Sequence, residues 1–114
     1  MALKQTYIPD RGDIVFLNFS PTKGSEQRGY RPAIVLSSFR YHQISGLCVA
    51  LPITSKVKGF IFELVLPQNL KTEGVVLCDQ AKSVDLRARK VKFLEKTPTG
   101  FCDEAVRMLN AIIK

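Results

Sequence analysis

Two polar segments hold most of the residues that could do chemistry in this chain. The first covers residues 20–32 and the second covers residues 54–60, and both are rich in lysine, arginine, glycine and hydroxyl side chains. His42 is the only histidine, so a two-histidine acid–base pair is excluded. Catalysis by this chain would therefore use arginine, lysine, hydroxyl or carboxyl groups. Long polar loops on a small scaffold are typical places for function.

Arg31 is the first candidate for a catalytic residue. Pro32 follows it and disfavours a helical backbone at Arg31, so the side chain should project where the loop enters a strand. A guanidinium offers a planar fork of donors that can bind two phosphate oxygens at once. This geometry favours a role in stabilising negative charge over a role in proton transfer.

The composition indicates a basic globular protein. The chain has 114 residues, with 17 Lys and Arg against 10 Asp and Glu, and its formal net charge is +7. The basic excess is spread along the chain, so it belongs to the folded surface and favours a polyanionic partner. The length predicts one domain over residues 1–114. No apolar run is long enough to span a membrane and no apolar signal core begins the chain, so we expect a cytoplasmic protein.

The elements that must position these segments are mostly strands. Apolar runs bounded by turn residues predict strands over residues 13–19, 33–37, 47–51, 61–66 and 75–78, with a weaker strand over 90–94. Several runs are continuously apolar, which suits strands buried on both faces or strands facing a partner. Helical spacing predicts a C-terminal helix over residues 99–113, capped by Thr97 or Thr99. The fold class predicted is mainly β, a small open barrel with a C-terminal helix.

The three cysteines do not indicate a disulfide framework or a zinc site. Cys48, Cys78 and Cys102 cannot all pair within one chain, and no Cys-x-x-Cys is present. We expect them to be small buried side chains in a reducing compartment. No metal and no cofactor is predicted.

The order of motifs along residues 7–113 resembles the signature of the MazF/PemK (Kid) family. The first motif is Arg11-Gly12-Asp13, and the second runs Gly24-x-Glu26-Gln27-x-Gly29-x-Arg31-Pro32. Pro52-Ile53-Thr54-Ser55 and then Gly74-Val75-Val76-Leu77-Cys78-Asp79-Gln80 continue the match at suitable spacing.

This resemblance implies a toxin of a bacterial toxin–antitoxin pair. Members are homodimers of a small SH3-like barrel of about six or seven strands with a C-terminal helix. They cut single-stranded RNA, often messenger RNA, at short sequences without a metal, and so inhibit translation and growth. A MazE-like antitoxin blocks the RNA site with an acidic, extended C-terminal segment.

Metal-free cleavage needs the ribose 2′-hydroxyl to attack the neighbouring phosphate, which leaves a 2′,3′-cyclic phosphate and a 5′-hydroxyl. The resemblance implies that Arg31 and Thr54 are catalytic. The base stays open between Glu26, which could also orient Arg31, and Asp79. Asp79 matches a general base of the plasmid-borne branch, but Leu77 occupies the position where that branch has an arginine.

The RNA itself would be held by residues of the same segments. Cations would contact phosphates, aromatic rings would stack on splayed bases, and glutamines would read base edges. Phe60 could serve as a stacking residue or pack in the core or a dimer interface. Ser55 could substitute for the Thr54 hydroxyl, and we expect His42 on a surface loop. The predicted RNA-binding residues are Lys23, Gln27, Arg28, Tyr30, Ser55, Lys56, Lys58, Gln80 and Lys82, with weaker support for Arg87 and Arg89.

Two alternative functions stay open at this point. The first is a toxin of related fold that poisons DNA gyrase. Resemblance to that group implies that its activity depends on a tryptophan near the C-terminus. This chain has no tryptophan. The second is a non-catalytic nucleic-acid-binding module, which explains the net charge but not the pairing of Arg31 with Thr54.

Overall fold

The computed structural model describes residues 7–19 and 29–114, and this part of the chain forms a mainly β fold with a C-terminal helix. The predicted fold class is therefore confirmed. All strand pairs are antiparallel. In chain order the elements are β1 (Asp13–Asn18), β2 (Tyr30–Val35), α1 (Phe39–Ser45), β3 (Leu47–Thr54), β4 (Glu63–Val65), β5 (Val75–Leu77), β6 (Lys82–Asp85), β7 (Lys92–Lys96) and α2 (Phe101–Ile113).

The strand β3 is the centre of the sheet. The strand order is β4-β5-β3-β2-β1-β7, and β6 pairs with β3 as well. Along its first part β3 lies between β2 and β6, with Ala33 opposite Pro52. At its end it pairs with β5 instead, with Ile53 opposite Val76. This change of partner bends the sheet and opens one end of the barrel beside Thr54.

The prediction that β3 ends at residue 51 is wrong, because the strand runs through Pro52 to Thr54. A proline lacks the backbone donor that an interior ladder position needs, so it usually ends a strand. Here Pro52 occupies the point at which β3 passes from β2 to β5. Because β3 changes its pairing partner at Pro52, the strand continues there although Pro52 has no backbone N–H to donate.

The sequence did not indicate α1, and His42 lies in this helix instead of on a surface loop. Ser38 caps the helix by accepting the Tyr41 N–H, and Gly46 ends it in the left-handed conformation. The His42 ring is buried between the Pro9 carbonyl, 2.7 Å from Nδ1, and the Ser37 hydroxyl, 2.7 Å from Nε2. A carbonyl only accepts, so Nδ1 carries a proton. The histidine therefore joins the N-terminal segment to the helix.

The core consists of two clusters on opposite faces of the same strands. Ile14 and Ile34 face the cluster that also contains Phe101 and Ala105 of α2. Val15 and Val35, their neighbours along the chain, face the second cluster, which also contains Val84 of β6. This arrangement confirms the prediction of strands buried on both faces. The three cysteines are buried and free, as predicted.

The C-terminal helix α2 begins at Phe101, two residues later than predicted. The residue before it is Gly100, and no side chain caps the helix. The prediction of a threonine cap is therefore wrong. Thr97 instead donates its hydroxyl to the Gly12 carbonyl at 2.8 Å. In the described part of the chain, neither helix has the length and apolar character needed to cross a membrane.

Candidate functional site

A cleft of about 750 Å³ opens at the end of β3. It brings together the described residues that were predicted as catalytic, Arg31, Thr54 and Asp79. Most of the described residues predicted to bind RNA also line it, namely Tyr30, Ser55, Lys56, Lys58 and Gln80. The described end of the first polar segment, residues 30–32, thus meets the second segment at one place.

Arg31 and Thr54 meet because β2 begins where β3 ends. Ala33 of β2 pairs with Pro52 of β3, and Arg31 and Thr54 each lie two residues beyond this pair, at the same end of the two strands. Opposite residues of an antiparallel pair point to the same face. Further along that face, Ala33 and Ala50 belong to the second core cluster. Arg31 and Thr54 therefore lie at the end of the two strands where the same face becomes polar and meets the cleft.

The Thr54 hydroxyl is held in a defined orientation. Thr54 is only 6 % exposed, and its Oγ1 accepts the backbone N–H of Lys56 at 3.1 Å. A hydroxyl oxygen that accepts from one side keeps its proton for an acceptor on another side. Thr54 is thus both a turn residue and a donor available to the cleft.

Gly74 fixes the backbone of Thr54 from the opposite side. Its φ is +119°, and a Cβ on this residue would stand 2.8 Å from the Thr54 carbonyl carbon and 3.0 Å from the Ser55 Cα. No side chain fits between these backbones. The glycine therefore lets the segment before β5 cross directly against the end of β3.

Cations and aromatic rings flank the two central residues. Lys56 and Lys58 are exposed, and the Lys58 Nζ lies 5.9 Å from the centre of the Phe60 ring. Phe60 is 63 % exposed and so does not pack in the core of this chain. Tyr30 stacks on Phe16 with ring centres 5.5 Å apart and remains 54 % exposed. The cleft thus offers both phosphate contacts and ring surface.

Several cleft residues were missed in the sequence because they come from β4 and from the β4–β5 connection. Glu63 and Glu73 add carboxylates to the wall that holds Asp79. Phe62 and Thr72 complete this side. Leu77 lines the cleft too and is nearly buried, so an apolar side chain stands where the plasmid-borne branch has its arginine. No sequence motif marked Glu63 or Glu73.

Some predicted site residues lie elsewhere or outside the described chain. Lys82 lies on β6 opposite Ala50 and does not line the cleft. The predicted residues Lys23, Glu26, Gln27 and Arg28 lie outside the described residues. Phe19 and Gly29, the described residues on either side of this gap, are hydrogen-bonded: the Phe19 N–H donates to the Gly29 carbonyl at 2.9 Å.

The cysteine next to the cleft is buried. Burial and the nearby Asp79 carboxylate raise the pKa of the Cys78 thiol to about 11. Both features disfavour the thiolate that a nucleophilic cysteine needs at neutral pH. Within residues 7–19 and 29–114, no three His, Cys, Asp or Glu side chains are grouped to hold a metal ion. The chemistry these residues do offer is charge stabilisation by Arg31 and hydrogen bonding by Thr54.

Comparison with known proteins identifies a family for this chain. Residues 10–113 match the family of PemK-like, MazF-like toxins of type II toxin–antitoxin systems. The chain is 51 % identical over 83 residues to the endoribonuclease toxin MazF of Escherichia coli strain K12, covering 73 % of this chain and 74 % of that protein. It is 33 % identical over 109 residues to the endoribonuclease PemK of Escherichia coli, covering 91 % and 81 %.

Solved structures agree with this similarity. The crystal structure of MazF from Deinococcus radiodurans superposes with a TM-score of 0.90 at 43 % identity, covering 94 % of this chain and 97 % of that one. A MazE–MazF crystal structure from the same organism gives a TM-score of 0.81 at 39 % identity, covering 94 % and 96 %.

Proposed function

Because the chain belongs to the family of PemK-like, MazF-like toxins of type II toxin–antitoxin systems, we propose that it is an endoribonuclease that cuts single-stranded RNA. The observation that carries this proposal is the meeting of Arg31 and Thr54 in one cleft with Lys56 and Lys58. Two similar proteins with this family's sequence pattern are named endoribonucleases. Binding alone would not require a guanidinium and an oriented hydroxyl at the same point.

The reaction we propose is attack by the ribose 2′-hydroxyl on its neighbouring phosphate. A new P–O2′ bond forms, the P–O5′ bond breaks, and the products carry a 2′,3′-cyclic phosphate and a 5′-hydroxyl. Arg31 stabilises the charge that builds on the phosphate oxygens, and the Thr54 hydroxyl donates to one of them. The 2′ proton passes to a carboxylate, either Glu26 or Asp79. The leaving 5′ oxygen takes a proton from water, and the carboxylic acid returns its proton to the solvent.

The sides of the cleft determine how the RNA lies. Lys56 and Lys58 neutralise phosphates next to the one that reacts. Tyr30 and Phe60 provide ring faces for bases turned out of the strand. Gln80 lines the same cleft and supplies an amide that can read a base edge. The preference for particular RNA sequences would come from contacts such as that between the Gln80 amide and a base edge.

Regulation of this activity is proposed to be by an antitoxin. Related MazF proteins have been solved in complex with MazE. The cations of the cleft, Arg31, Lys56 and Lys58, suit an acidic, extended segment, which would occupy the space that RNA needs. We also propose that the chain is a single domain, acts in the cytoplasm and forms a homodimer. The exposed Val65 and Ile113 are apolar surface beyond what the single chain buries.

Cleavage of a long single-stranded RNA in excess EDTA tests the proposed function. The purified protein should give discrete cuts, and the R31A variant should cut at least about 100-fold more slowly. R107A removes an exposed arginine from α2, outside the cleft, and is the matched control. If R31A cuts at the wild-type rate, the site is misassigned. If folded wild-type protein leaves the RNA intact, the function is wrong.

A further inference from the structure

The loop between β3 and β4 lacks the apolar anchoring that normally fixes a loop. Its residues 55–61 are all exposed, and its large apolar side chains point into solvent, with Val57 at 60 % and Ile61 at 80 %. Nevertheless this loop carries residues that line the cleft, among them Lys56, Lys58 and Phe60. Something other than burial must hold these side chains towards the RNA.

Glu63, the first residue of β4, binds the backbone of this loop through hydrogen bonds. Its Oε1 accepts the backbone N–H of Gly59 at 2.9 Å, and its Oε2 accepts that of Lys58 at 3.2 Å. The Glu63 N–H donates in turn to the Phe60 carbonyl at 3.1 Å. Gly59 has a φ of +80°, which turns the chain so that both amides reach one carboxylate. We call these contacts the Glu63 clamp.

The clamp determines what the Glu63 carboxylate can do. A carboxylate with two backbone amides directed at it is occupied as an acceptor, and hydrogen bonds to a charged group are stronger than neutral ones. Glu63 therefore serves the loop and not proton transfer. Lys58 and Gly59, whose amides bind Glu63, lie between Lys56 and Phe60 in the sequence. The clamp therefore holds the backbone from which both of these side chains extend.

We propose that Glu63 is a positioning residue that preorganises the β3–β4 loop for RNA binding. This proposal rests on the proposed endoribonuclease function. A loop already in its bound shape loses less conformational freedom when RNA arrives, and the saving appears as tighter binding. Without the clamp, the loop has to order at the moment of binding, while Arg31 and Thr54 stay in place on their strands.

The sign of the effect separates this role from simple electrostatics. Glu63 places a negative charge in a cleft that takes a polyanion. If charge alone mattered, its removal would strengthen RNA binding. If the clamp matters more, its removal weakens binding. The two accounts thus predict opposite changes for one substitution.

The test compares E63Q with E73Q. Glu73 lines the same cleft but, within the described residues, makes no hydrogen bond to the β3–β4 loop, so E73Q removes the same charge without touching the clamp. Kd is measured by fluorescence anisotropy with an oligonucleotide of a cleaved sequence, blocked by 2′-O-methyl groups. KM and kcat are measured on the unblocked RNA. E63Q should raise Kd and KM about tenfold and leave kcat within about twofold. E73Q should bind as tightly as wild type or more tightly.

A second variant perturbs the loop without altering charge. A Cβ on Gly59 would meet nothing within 4 Å, so G59A strains only the left-handed backbone. It should raise KM about fivefold with kcat retained. The proposal is overturned if E63Q binds RNA as tightly as wild type or more tightly. It is overturned as well if kcat falls together with thermal stability, since that indicates a general structural role. Wild-type protein that does not cut RNA would instead contradict the proposed function.

Discussion

The backbone of Gly74 lies directly against the carbonyl group of Thr54, closer than any residue with a side chain allows. This contact sets the position of the hydroxyl that faces the cleft. G74A must therefore displace one of the two backbones and also place alanine at a φ of +119°. We expect a stability loss of about 2 kcal/mol or more, and a loss of cleavage in the protein that remains folded. Urea unfolding and RNA cleavage measured on the same sample check both.

G100A is the control for this substitution. Gly100 has a φ of +94°, but a Cβ there would meet nothing within 4 Å, and the residue lies before α2, outside the cleft. It should cost about 1 kcal/mol from backbone strain alone and leave the cleavage rate of folded protein unchanged. Equal effects of the two variants on cleavage would contradict the special role of the Gly74 contact.

The two chemical parts of Thr54 can be separated by substitution. T54V keeps the shape but removes the donor to phosphate and the acceptor for the Lys56 N–H, so we expect kcat to fall about 100-fold. T54S keeps the hydroxyl and should stay within about tenfold of wild type. Single-turnover cleavage at saturating RNA gives these rates. T54V activity close to that of T54S would show that the hydroxyl takes no part in the reaction.

The contribution of the loop lysines should be visible in the salt dependence of binding. For single strands, log K falls with log salt by about 0.7 for each phosphate contact. The double variant K56A/K58A should therefore lower the slope by about 1.4, measured with an RNA whose 2′-hydroxyls are blocked. K114A removes a cation from the end of α2 and should leave the slope unchanged. An unaltered slope in the double variant would mean that these lysines do not contact phosphates.

Glu95 of β7 should make stability depend on pH. Its carboxylate accepts from the Lys71 N–H at 3.0 Å, the Thr72 N–H at 2.7 Å and the Thr72 hydroxyl at 2.6 Å. Burial opposes ionisation, but these hydrogen bonds outweigh it and hold the pKa of Glu95 below its ordinary value of 4.5. The lowered pKa means that the stabilisation is present above about pH 4.5 and is lost as pH falls through the folded-state value.

The corresponding variant is E95Q. It should be less stable than wild type at pH 7, by at most about 1 kcal/mol because solvent screens this partly exposed carboxylate, and the difference should shrink as the pH falls below 4.5. Denaturant unfolding at pH 3, 5 and 7 gives the comparison, with E73Q, at an exposed carboxylate between β4 and β5, as control. A difference that is the same at all three pH values would show that ionisation of Glu95 is not linked to folding.

The strands of the core could be predicted from the sequence because their apolar runs are unbroken. Residues 13–19 and 75–78 came close to the observed β1 and β5. β6 could not be predicted, since Lys82–Asp85 is short and mostly polar and exists only because β3 offers it a ladder. Tertiary pairing of this kind leaves no local signal.

The site shows the same division. Arg31 and Thr54 could be predicted because each lies within two residues of a proline, Pro32 or Pro52. The motifs that resemble the family signature also contain both residues. The carboxylate of Glu63 could not be predicted, because its partners are backbone amides, and these carry no signature in the sequence. The prediction for His42 was wrong because its burial depends on hydrogen-bond partners distant in the sequence or unmarked by any motif, here Pro9 and Ser37.

Dependence of the cut on a single ribose hydroxyl tests the central claim most directly. After the wild-type cleavage position is mapped, an RNA is made with 2′-deoxyribose at the nucleotide 5′ to the cut and ribose everywhere else. Attack by the 2′-hydroxyl predicts no cleavage of this RNA at that position, and a 2′,3′-cyclic phosphate with a 5′-hydroxyl from the all-ribose control. Cutting of the deoxy-substituted RNA at the same position and rate would contradict the account.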